Sequence, residues 1–207
     1  MPLPVWLIIL AIAGVGAAVL AAMTLKKWLS ERGHVAFIGR NMTGKSTMLY
    51  FLQHGQIPRN GLASTEMQID ESGVSIGEKQ FVVIDNKGNS LPNLRDSLHR
   101  SSDIIYFFDA SKVAEGDAKA VSALEADASH LEEFLKEVRF RRRFTLVGTH
   151  TDLMERGGEE TVRNSPALQT LKHACSIGDG DVILGSLVNK RQALKLAASV
   201  AKRHNAG

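Results

Sequence analysis

The chain has 207 residues and a mass of 22.5 kDa, which suffices for one ordinary domain with a sizeable core and leaves little room for a second. Hydrophobic residues make up 44% and charged residues 23%, so the composition excludes a disordered or collagen-like chain. The net charge of +3 is too small to indicate a nucleic-acid-binding protein by itself. The single cysteine, Cys175, excludes a disulfide framework and fits a reducing compartment.

The first 25 residues carry no Asp, Glu, Lys, Arg or His and are nearly all apolar. A helix of roughly 20 to 24 such residues covers the ~30 Å hydrocarbon core of a bilayer. A cleaved signal peptide is the main alternative, but no basic residue precedes the apolar run, and the run exceeds the usual signal-peptide length. A buried core helix is a third alternative, although the run has no polar face. We therefore expect a membrane anchor over residues 1–27, a linker over 28–33 and one domain over 34–207.

The charges that flank this segment predict its orientation. Lys26, Lys27 and Arg32 follow the apolar run, and no basic residue precedes it. By the positive-inside rule, the domain then faces the cytosol, at the endoplasmic reticulum of a eukaryote or the plasma membrane of a bacterium. Trp6 and Trp28 lie near the two ends of the segment, where indole rings favour the interface.

From residue 34 onward, apolar strand patterns alternate with helical ones. The patterns predict strands at residues 34–39, 66–76, 80–84, 103–109, 144–148 and 181–185, and helices at 45–53, 118–138, 159–173 and 187–204. The two strands on either side of Gly77 are predicted to form a hairpin, and Pro166 makes part of the third helix doubtful. The alternation predicts an α/β fold with a mainly parallel sheet and helices on both faces.

The strongest motif is Gly39-Arg40-Asn41-Met42-Thr43-Gly44-Lys45-Ser46, which matches G-x-x-x-x-G-K-[ST]. It lies between a predicted strand and a predicted helix, which is the context of a phosphate-binding P-loop. Glycines allow close backbone approach, and the exposed amides of such a loop bind phosphate oxygens. Lys45 would bind the β- and γ-phosphates, and Ser46 would ligate Mg²⁺. The predicted phosphate-binding residues are Gly39, Asn41, Met42, Thr43, Gly44, Lys45, Ser46 and Thr47.

A second motif, D-x-x-G, begins at Asp85 and ends at Gly88, directly after an apolar strand pattern. Asp85 would support Mg²⁺ through water, and the amide of Gly88 would contact the γ-phosphate. The alternative reading is an ordinary turn at the end of a strand.

A third motif, Thr149-His150-Thr151-Asp152, also follows a predicted strand. This T-x-x-D order resembles the guanine-recognising N-K-x-D motif of small GTPases, in the T-K-x-D form of Rho proteins. In that family the aspartate accepts hydrogen bonds from two N–H groups of guanine, which adenine cannot offer. His150 stands where the family has a lysine stacked on the base. A helix-capping turn is the alternative reading of Thr149 to Asp152.

The resemblance covers residues 34 to about 204 and is to the Ras-like small GTPases. A transmembrane helix followed at once by such a domain resembles the signal recognition particle receptor beta subunit, a relative of the Arf proteins. The resemblance implies GTP and GDP as ligands, Mg²⁺ as cofactor, and a protein partner bound at the switch surface in one nucleotide state. By position it also implies that Ser186 and Leu187 contact the guanine carbonyl.

Two further roles follow from the resemblance. Thr65, with Ser64 beside it, is the candidate for the second hydroxyl ligand of Mg²⁺, in addition to Ser46 and Asp85. Asn89 follows D-x-x-G, where the family has a glutamine or histidine that positions the attacking water. Because asparagine is one methylene shorter, we expect slow hydrolysis, with Lys45 and Asn89 as the catalytic residues.

The sequence leaves open the roles of Arg40 and of a basic cluster. Arg40 would act on the γ-phosphate or lie exposed to solvent. The basic cluster within residues 139–143 would form a solvated loop or face an anionic surface, such as lipid headgroups or RNA. Phe140 is the single aromatic residue within it, which is too little aromatic interleaving to indicate nucleic-acid recognition, so direct nucleic-acid binding is not expected. Cys175 is expected to pack as a small apolar residue.

Two other functions remain open from the sequence. In one, the nucleotide is a structural cofactor of a docking module without hydrolysis, as the departures at Asn89 and His150 permit. In the other, the chain is a P-loop ATPase or kinase, although no lid insertion is visible in the sequence.

Overall fold

The structure is a computed structural model of the chain, and it describes residues 35–58, 74–76, 79–81, 98–99, 101, 103–137 and 143–205. Within these residues the strands are β1 Val35–Gly39, β2 Val74–Ile76, β3 Lys79–Phe81, β4 Asp103–Asp109, β5 Arg143–Thr149 and β6 Val182–Leu184. The helices are α1 Lys45–His54, α2 Ala110–Ala114, α3 Ala118–Glu137, α4 Gly158–Asn164, α5 Pro166–Ala174 and α6 Lys190–Asn205. Short 3₁₀ turns cover Thr151–Leu153 and Asp179–Asp181.

Four of the strands form one parallel sheet in the order β1-β4-β5-β6. Because the strands are parallel and lie in register, their carboxyl ends meet at one edge of the sheet. Gly39 pairs with Phe107 there, and Asp109 pairs with Thr149. Strands β2 and β3 pair antiparallel with each other as a separate hairpin. The described part of the chain therefore confirms the prediction of an α/β fold with a mainly parallel sheet.

Helices cover both faces of the parallel sheet, because successive strand residues point to opposite sides. In β1, Ala36 and Ile38 pack into one buried cluster, together with side chains of α3, α4 and α5. Val35 and Phe37 pack into a second cluster, together with side chains of α1 and α6. The result is a three-layer arrangement in which the strands are buried on both faces, as parallel sheets require.

The structure corrects two of the predicted helices. The predicted helix 159–173 is two helices, because Pro166 lacks the N–H that a helix interior needs and instead starts α5. The last helix begins at Lys190 rather than at residue 187. The Asn189 side chain accepts a hydrogen bond from the backbone N–H of Gln192 at 3.0 Å and so caps the helix.

Most of the other predicted strands and helices are confirmed where the structure describes the chain. The strands predicted at 34–39, 103–109, 144–148 and 181–185 and the helices at 45–53 and 118–138 are present within one or two residues. The predicted hairpin is described for β2 and β3. None of the described helices is long and apolar enough to cross a bilayer. The predicted anchor, residues 1–27, lies outside the described residues.

Candidate functional site

Loops from four parallel strands meet at the carboxyl edge of the sheet. The loop after β1 leads into α1, and β4 ends at Asp109, where α2 begins. Strand β5 ends at Thr149 and is followed by the Thr151–Leu153 turn, and β6 is followed by Ser186. In open α/β sheets this edge is where ligands bind. The fold therefore brings together the motifs that begin at Gly39 and Thr149.

The backbone of the loop from Gly39 to Gly44 depends on its glycines. Gly39 has a φ of +135°, and a Cβ there would lie 2.1 Å from the carbonyl oxygen of Phe107 in the neighbouring strand. Gly44 has a φ of +83°, and a Cβ there would lie 2.8 Å from Cδ1 of Leu187. Met42 also has a positive φ of 61°. Left-handed residues at Met42 and Gly44, on either side of Thr43, are typical of backbone concavities that bind anions.

Lys45 is held on the inside of this loop, although it is a charged residue that is only 4% exposed. Its Nζ donates hydrogen bonds to the carbonyl oxygens of Gly39 at 2.8 Å and of Arg40 at 2.5 Å. Nζ also lies 3.5 Å from Oγ1 of Thr43. Neutral oxygens therefore partly offset the cost of burying the ammonium group. The arrangement places one positive charge at the centre of the loop.

Thr149 joins the end of β5 to this loop. Its buried hydroxyl lies within hydrogen-bond distance of the carbonyl oxygens of Thr43, at 3.0 Å, and of Phe108, at 3.2 Å. Since a hydroxyl carries one proton, the two carbonyls share this donor. The hydroxyl also lies 3.0 Å from Nδ1 of His150. Thr149 thus has a structural role in the loop that the sequence prediction did not include.

Asp152 and Ser186 come together although 34 positions separate them. The Ser186 hydroxyl donates a hydrogen bond to Oδ1 of Asp152 and accepts one from the backbone N–H of Val188 at 3.1 Å. Ser186 is buried, whereas Asp152 is exposed. The hydrogen bond from Ser186 therefore restricts the orientation of an exposed carboxylate, which is a hydrogen-bond acceptor.

His150 occupies the left-handed region, with a φ of 60°, and 35% of its side chain is exposed. Its Nδ1 lies 3.5 Å from Oδ2 of Asp109, and Asp109 caps the first turn of α2. Contacts with Thr149 and Asp109 therefore hold the imidazole at the rim of the loops. The stacking of His150 on a base stays a prediction.

Arg40 neither points into the phosphate-binding loop nor lies fully exposed to solvent, which are the two positions expected from the sequence. It forms a two-pronged ion pair with Asp127 on α3, with Nε–Oδ2 and Nη2–Oδ1 distances of 3.0 and 2.5 Å. Tyr106 on β4 donates a hydrogen bond to the same carboxylate at 2.6 Å. The side chain of Arg40 is 29% exposed, whereas Asp127 and Tyr106 are each only 1% exposed. The expectation of a solvent-exposed or phosphate-binding Arg40 is therefore wrong for the conformation described.

Asp127 and Tyr106 are not among the residues predicted from the sequence, although the position of Asp127 carries a signal. Asp127 lies three residues after Leu124 and four before Leu131, on the apolar stripe that α3 turns toward the sheet. An acidic residue on such a stripe needs a buried partner. Tyr106 is the phenolic residue within the apolar run of β4, and a buried hydroxyl likewise needs a partner.

Burial and Asp127 shift the ionisation of both partners. Burial raises the pKa of Tyr106 well above its usual 10.0, and the nearby Asp127 carboxylate raises it further. Tyr106 therefore stays a neutral donor. For Arg40, burial lowers the pKa, but the hydrogen bond to Asp127 and its negative charge outweigh burial, so that the pKa is raised.

A cavity of about 340 Å³ adjoins the outer side of the loop. It lies between the loop residues Arg40 and Asn41, the end of β4, and the first half of α3. Neither Lys45 nor Asp152 lines it. Asn41 and Thr43, two of the predicted phosphate-binding residues, do line it, so the cavity overlaps the predicted nucleotide site only in part.

Several predicted site residues lie outside the described residues: Ser64, Thr65, Asp85, Gly88 and Asn89. Ser46 is described and lies in the first turn of α1, with a half-buried side chain. In the described part of the chain, no group of three or more His, Cys, Asp or Glu side chains could hold a metal ion.

No protein-family model matches the chain, and no curated protein sequence is similar to it. Solved structures are similar in fold. One is described as an ADP-ribosylation-factor-like GTP-binding protein, the small COPII coat GTPase SAR1 from Encephalitozoon cuniculi, in complex with GDP. It has a TM-score of 0.54 and 15% identity, over 96% of this chain and 93% of that one.

Two further structures have the same fold. A variant of SsGBP has a TM-score of 0.51 and 16% identity over 84% of this chain, which spans 57% of that protein's length. A probable GTP-binding protein, engB, has a TM-score of 0.50 and 14% identity over 84% of this chain and 100% of that one. The chain therefore has the α/β fold of P-loop GTPases.

Proposed function

We propose that the chain is a guanine-nucleotide-binding switch protein that hydrolyses GTP slowly. The observation that carries this proposal is the placement of Lys45 and Asp152 at one edge of the sheet, with Thr149 joining the two loops. A cation inside a glycine-dependent loop suits a polyphosphate, and a fixed exposed carboxylate suits the N–H groups of guanine.

Each described residue then has a defined task toward the nucleotide. The ammonium of Lys45 exchanges its bonds to the neutral carbonyls of Gly39 and Arg40 for stronger ones to charged phosphate oxygens. Asp152 accepts hydrogen bonds from guanine, and Ser186 fixes the orientation of its carboxylate. Leu187 packs over Gly44, while His150 flanks the base from the rim.

A magnesium ion is the cofactor that this function implies. The half-buried hydroxyl of Ser46, next to Lys45 at the start of α1, fits one of its ligands. Thr65 and, through water, Asp85 are proposed as the others. When bound, Mg²⁺ neutralises charge on the phosphates. Asn89 is proposed to position the attacking water, and its short side chain is the reason to expect slow hydrolysis.

Competition between nucleotides tests the guanine assignment. The full chain is titrated with a fluorescent GDP analogue, and unlabelled GDP, GTP and ATP compete for it. We expect GDP and GTP to compete at least about a hundredfold better than ATP. Asp152→Asn should remove most of this preference, whereas Glu155→Gln, at an exposed acid three residues further on, should preserve it. Equal competition by ATP against the unaltered chain contradicts the proposal and favours an ATPase or kinase.

Phosphate release tests hydrolysis. In single-turnover reactions of the full chain with GTP and Mg²⁺, we expect slow release, which Lys45→Ala abolishes and Asn89→Gln accelerates. Circular dichroism checks that each variant is folded. Tight GDP binding with no release above the Lys45→Ala background favours the docking module, in which the nucleotide is structural. The contacts of His150 with Thr149 and Asp109, at a position where the family has lysine, are consistent with that second function.

We further propose that residues 1–27 anchor the domain to a membrane with its site facing the cytosol, and that a protein partner binds in one nucleotide state. The apolar sequence of residues 1–25 and the basic residues after it support the anchor. One such segment before a GTPase fold is also the arrangement of the signal recognition particle receptor beta subunit. Alkaline extraction of membranes should leave the full chain in the pellet. Deletion of residues 1–27 should release it, and release of the full chain would exclude the anchor.

A further inference from the structure

Asp127 is a buried carboxylate whose partners come from two other elements of the fold. It receives two hydrogen bonds from Arg40 in the phosphate-binding loop and one from Tyr106 on β4. Since the residue is only 1% exposed, loss of one partner leaves a buried charge that is poorly compensated. The two parallel bonds to the planar guanidinium also fix the direction of Arg40.

The backbone of Arg40 belongs to the phosphate-binding loop itself. Its carbonyl oxygen accepts hydrogen bonds from Nζ of Lys45 at 2.5 Å and from Oγ1 of Thr43 at 2.8 Å. The residue whose side chain pairs with α3 therefore also provides one of the two carbonyls that hold Lys45, the other being that of Gly39. Any movement of the loop at residue 40 therefore strains either the ion pair with Asp127 or the hydrogen bond from Lys45 to the Arg40 carbonyl.

The ion pair also holds the positively charged Arg40 side chain against α3, away from the inside of the loop. The Arg40 guanidinium has five N–H donors, and its Nη2 lies 3.5 Å from the carbonyl oxygen of Ala123 on α3, in addition to its bonds to Asp127. A side chain held in this way donates its N–H groups to Asp127 and to the carbonyl of Ala123 on α3, instead of to a phosphate inside the loop.

We propose that Asp127 is a positioning residue for nucleotide binding, which acts through Arg40 by holding the phosphate-binding loop in its binding conformation. This inference rests on the proposed function. A loop that adopts the binding conformation for only a fraction of the time raises the apparent Kd by the inverse of that fraction. Disruption of the ion pair should therefore weaken GDP binding even while the fold persists.

The test measures the Kd and the dissociation rate of a fluorescent GDP analogue on the full chain. Asp127→Asn preserves the shape of the side chain and removes its charge, and Arg40→Gln removes the guanidinium. We expect each to raise the Kd about tenfold, mainly through faster dissociation. The double variant should lose no more than the single ones, because both act on one contact.

Two control variants on α3 separate positioning from stability. Leu131→Ala creates a cavity at a fully buried residue of the same helix and lowers the thermal midpoint without touching the loop. Glu132→Gln removes the exposed ion pair with Lys136. We expect both variants to leave the GDP Kd within about twofold of that of the unaltered chain, although Leu131→Ala melts earlier.

The outcomes are distinguishable. If the unaltered chain binds GDP and the Arg40 and Asp127 variants bind it equally well, the positioning role is wrong and the proposed function stands. If Leu131→Ala weakens binding as much as Asp127→Asn, the effect is one of stability, and the positioning role is again wrong. If Asp127→Asn does not fold, the GDP Kd of Arg40→Gln, a change at a partly exposed side chain, tests the positioning role instead. Absence of GDP binding by the unaltered chain overturns the proposed function and this inference together.

Discussion

The hydroxyl of Thr149 lies 3.0 Å from the carbonyl oxygen of Thr43, a residue 106 positions earlier in the chain. This contact joins the strand end that precedes Asp152 to the loop that carries Lys45. The two halves of the candidate site are thereby fixed relative to each other by one buried side chain. Under the proposed function, Asp152 contacts the base of the nucleotide and Lys45 its phosphates.

Removal of this hydroxyl should weaken both the fold and the site. Thr149→Val retains the shape of the side chain but leaves the carbonyls of Thr43 and Phe108 without their shared donor. We expect a loss of about 1–2 kcal/mol in the free energy of unfolding and a weaker affinity for GDP. Urea denaturation and nucleotide titration measure the two effects. Thr149→Ser retains the hydroxyl and should recover most of the affinity, and equal behaviour of the two variants would contradict the role of this hydrogen bond.

Gly39 should not tolerate a side chain. A Cβ at this position would lie 2.1 Å from the backbone oxygen of Phe107, and the φ of +135° is unfavourable for any other residue. We expect Gly39→Ala to lower the free energy of unfolding by at least about 2 kcal/mol. The matched control is Gly180→Ala, where a Cβ meets nothing within 4 Å. Urea denaturation that gives equal midpoints for the two variants would refute the close approach of β1 and β4.

The ionisation of Tyr106 should lower the free energy of unfolding at alkaline pH. Burial, with a further contribution from Asp127, raises its pKa above the usual 10.0, so the unfolded chain releases this proton at a lower pH than the folded one does. The stabilisation is therefore complete below pH 10.0 and is lost progressively as the pH rises from there toward the folded pKa.

The variant Tyr106→Phe isolates this effect. It should be less stable than the unaltered chain near neutral pH, by about 1–2 kcal/mol, because Asp127 loses a donor. Its stability should then decline less steeply above about pH 10. Urea denaturation at a series of pH values measures both slopes. Parallel slopes for the two proteins would mean that Tyr106 ionises equally easily in the folded and unfolded chains.

Cys175 should be unreactive in the folded protein. Burial raises the pKa of its thiol to about 12, so almost no thiolate is present near pH 8. Because Cys175 is the single cysteine of the chain, a thiol reagent reports on it alone. We expect slow labelling under native conditions and rapid stoichiometric labelling in urea. Rapid labelling of the folded protein would show that the thiol is accessible, contrary to its position in the core.

Strands and helices could be predicted from the sequence wherever a pattern of neighbouring residues is the physical cause of the element. The apolar run before Gly39 and the helix after Gly44 follow from residue types within about twenty positions, and both are present in the structure. The split helix around Pro166 and the late start of α6 at Lys190 were harder to predict. In both cases one capping or N–H-lacking residue decides the boundary.

The α/β alternation and the position of the glycine-rich motif around Lys45, between a strand and a helix, follow from the sequence alone, because hydrophobic period and glycine spacing act over short distances along the chain. The tertiary structure alone decided that Arg40 pairs with Asp127, 87 positions away, and that Ser186 bonds to Asp152. Such contacts depend on how the helices pack against the sheet and on the register of the strands. Burial then selects the partner, because a charge or hydroxyl removed from water must be compensated by whichever polar group packing brings to it.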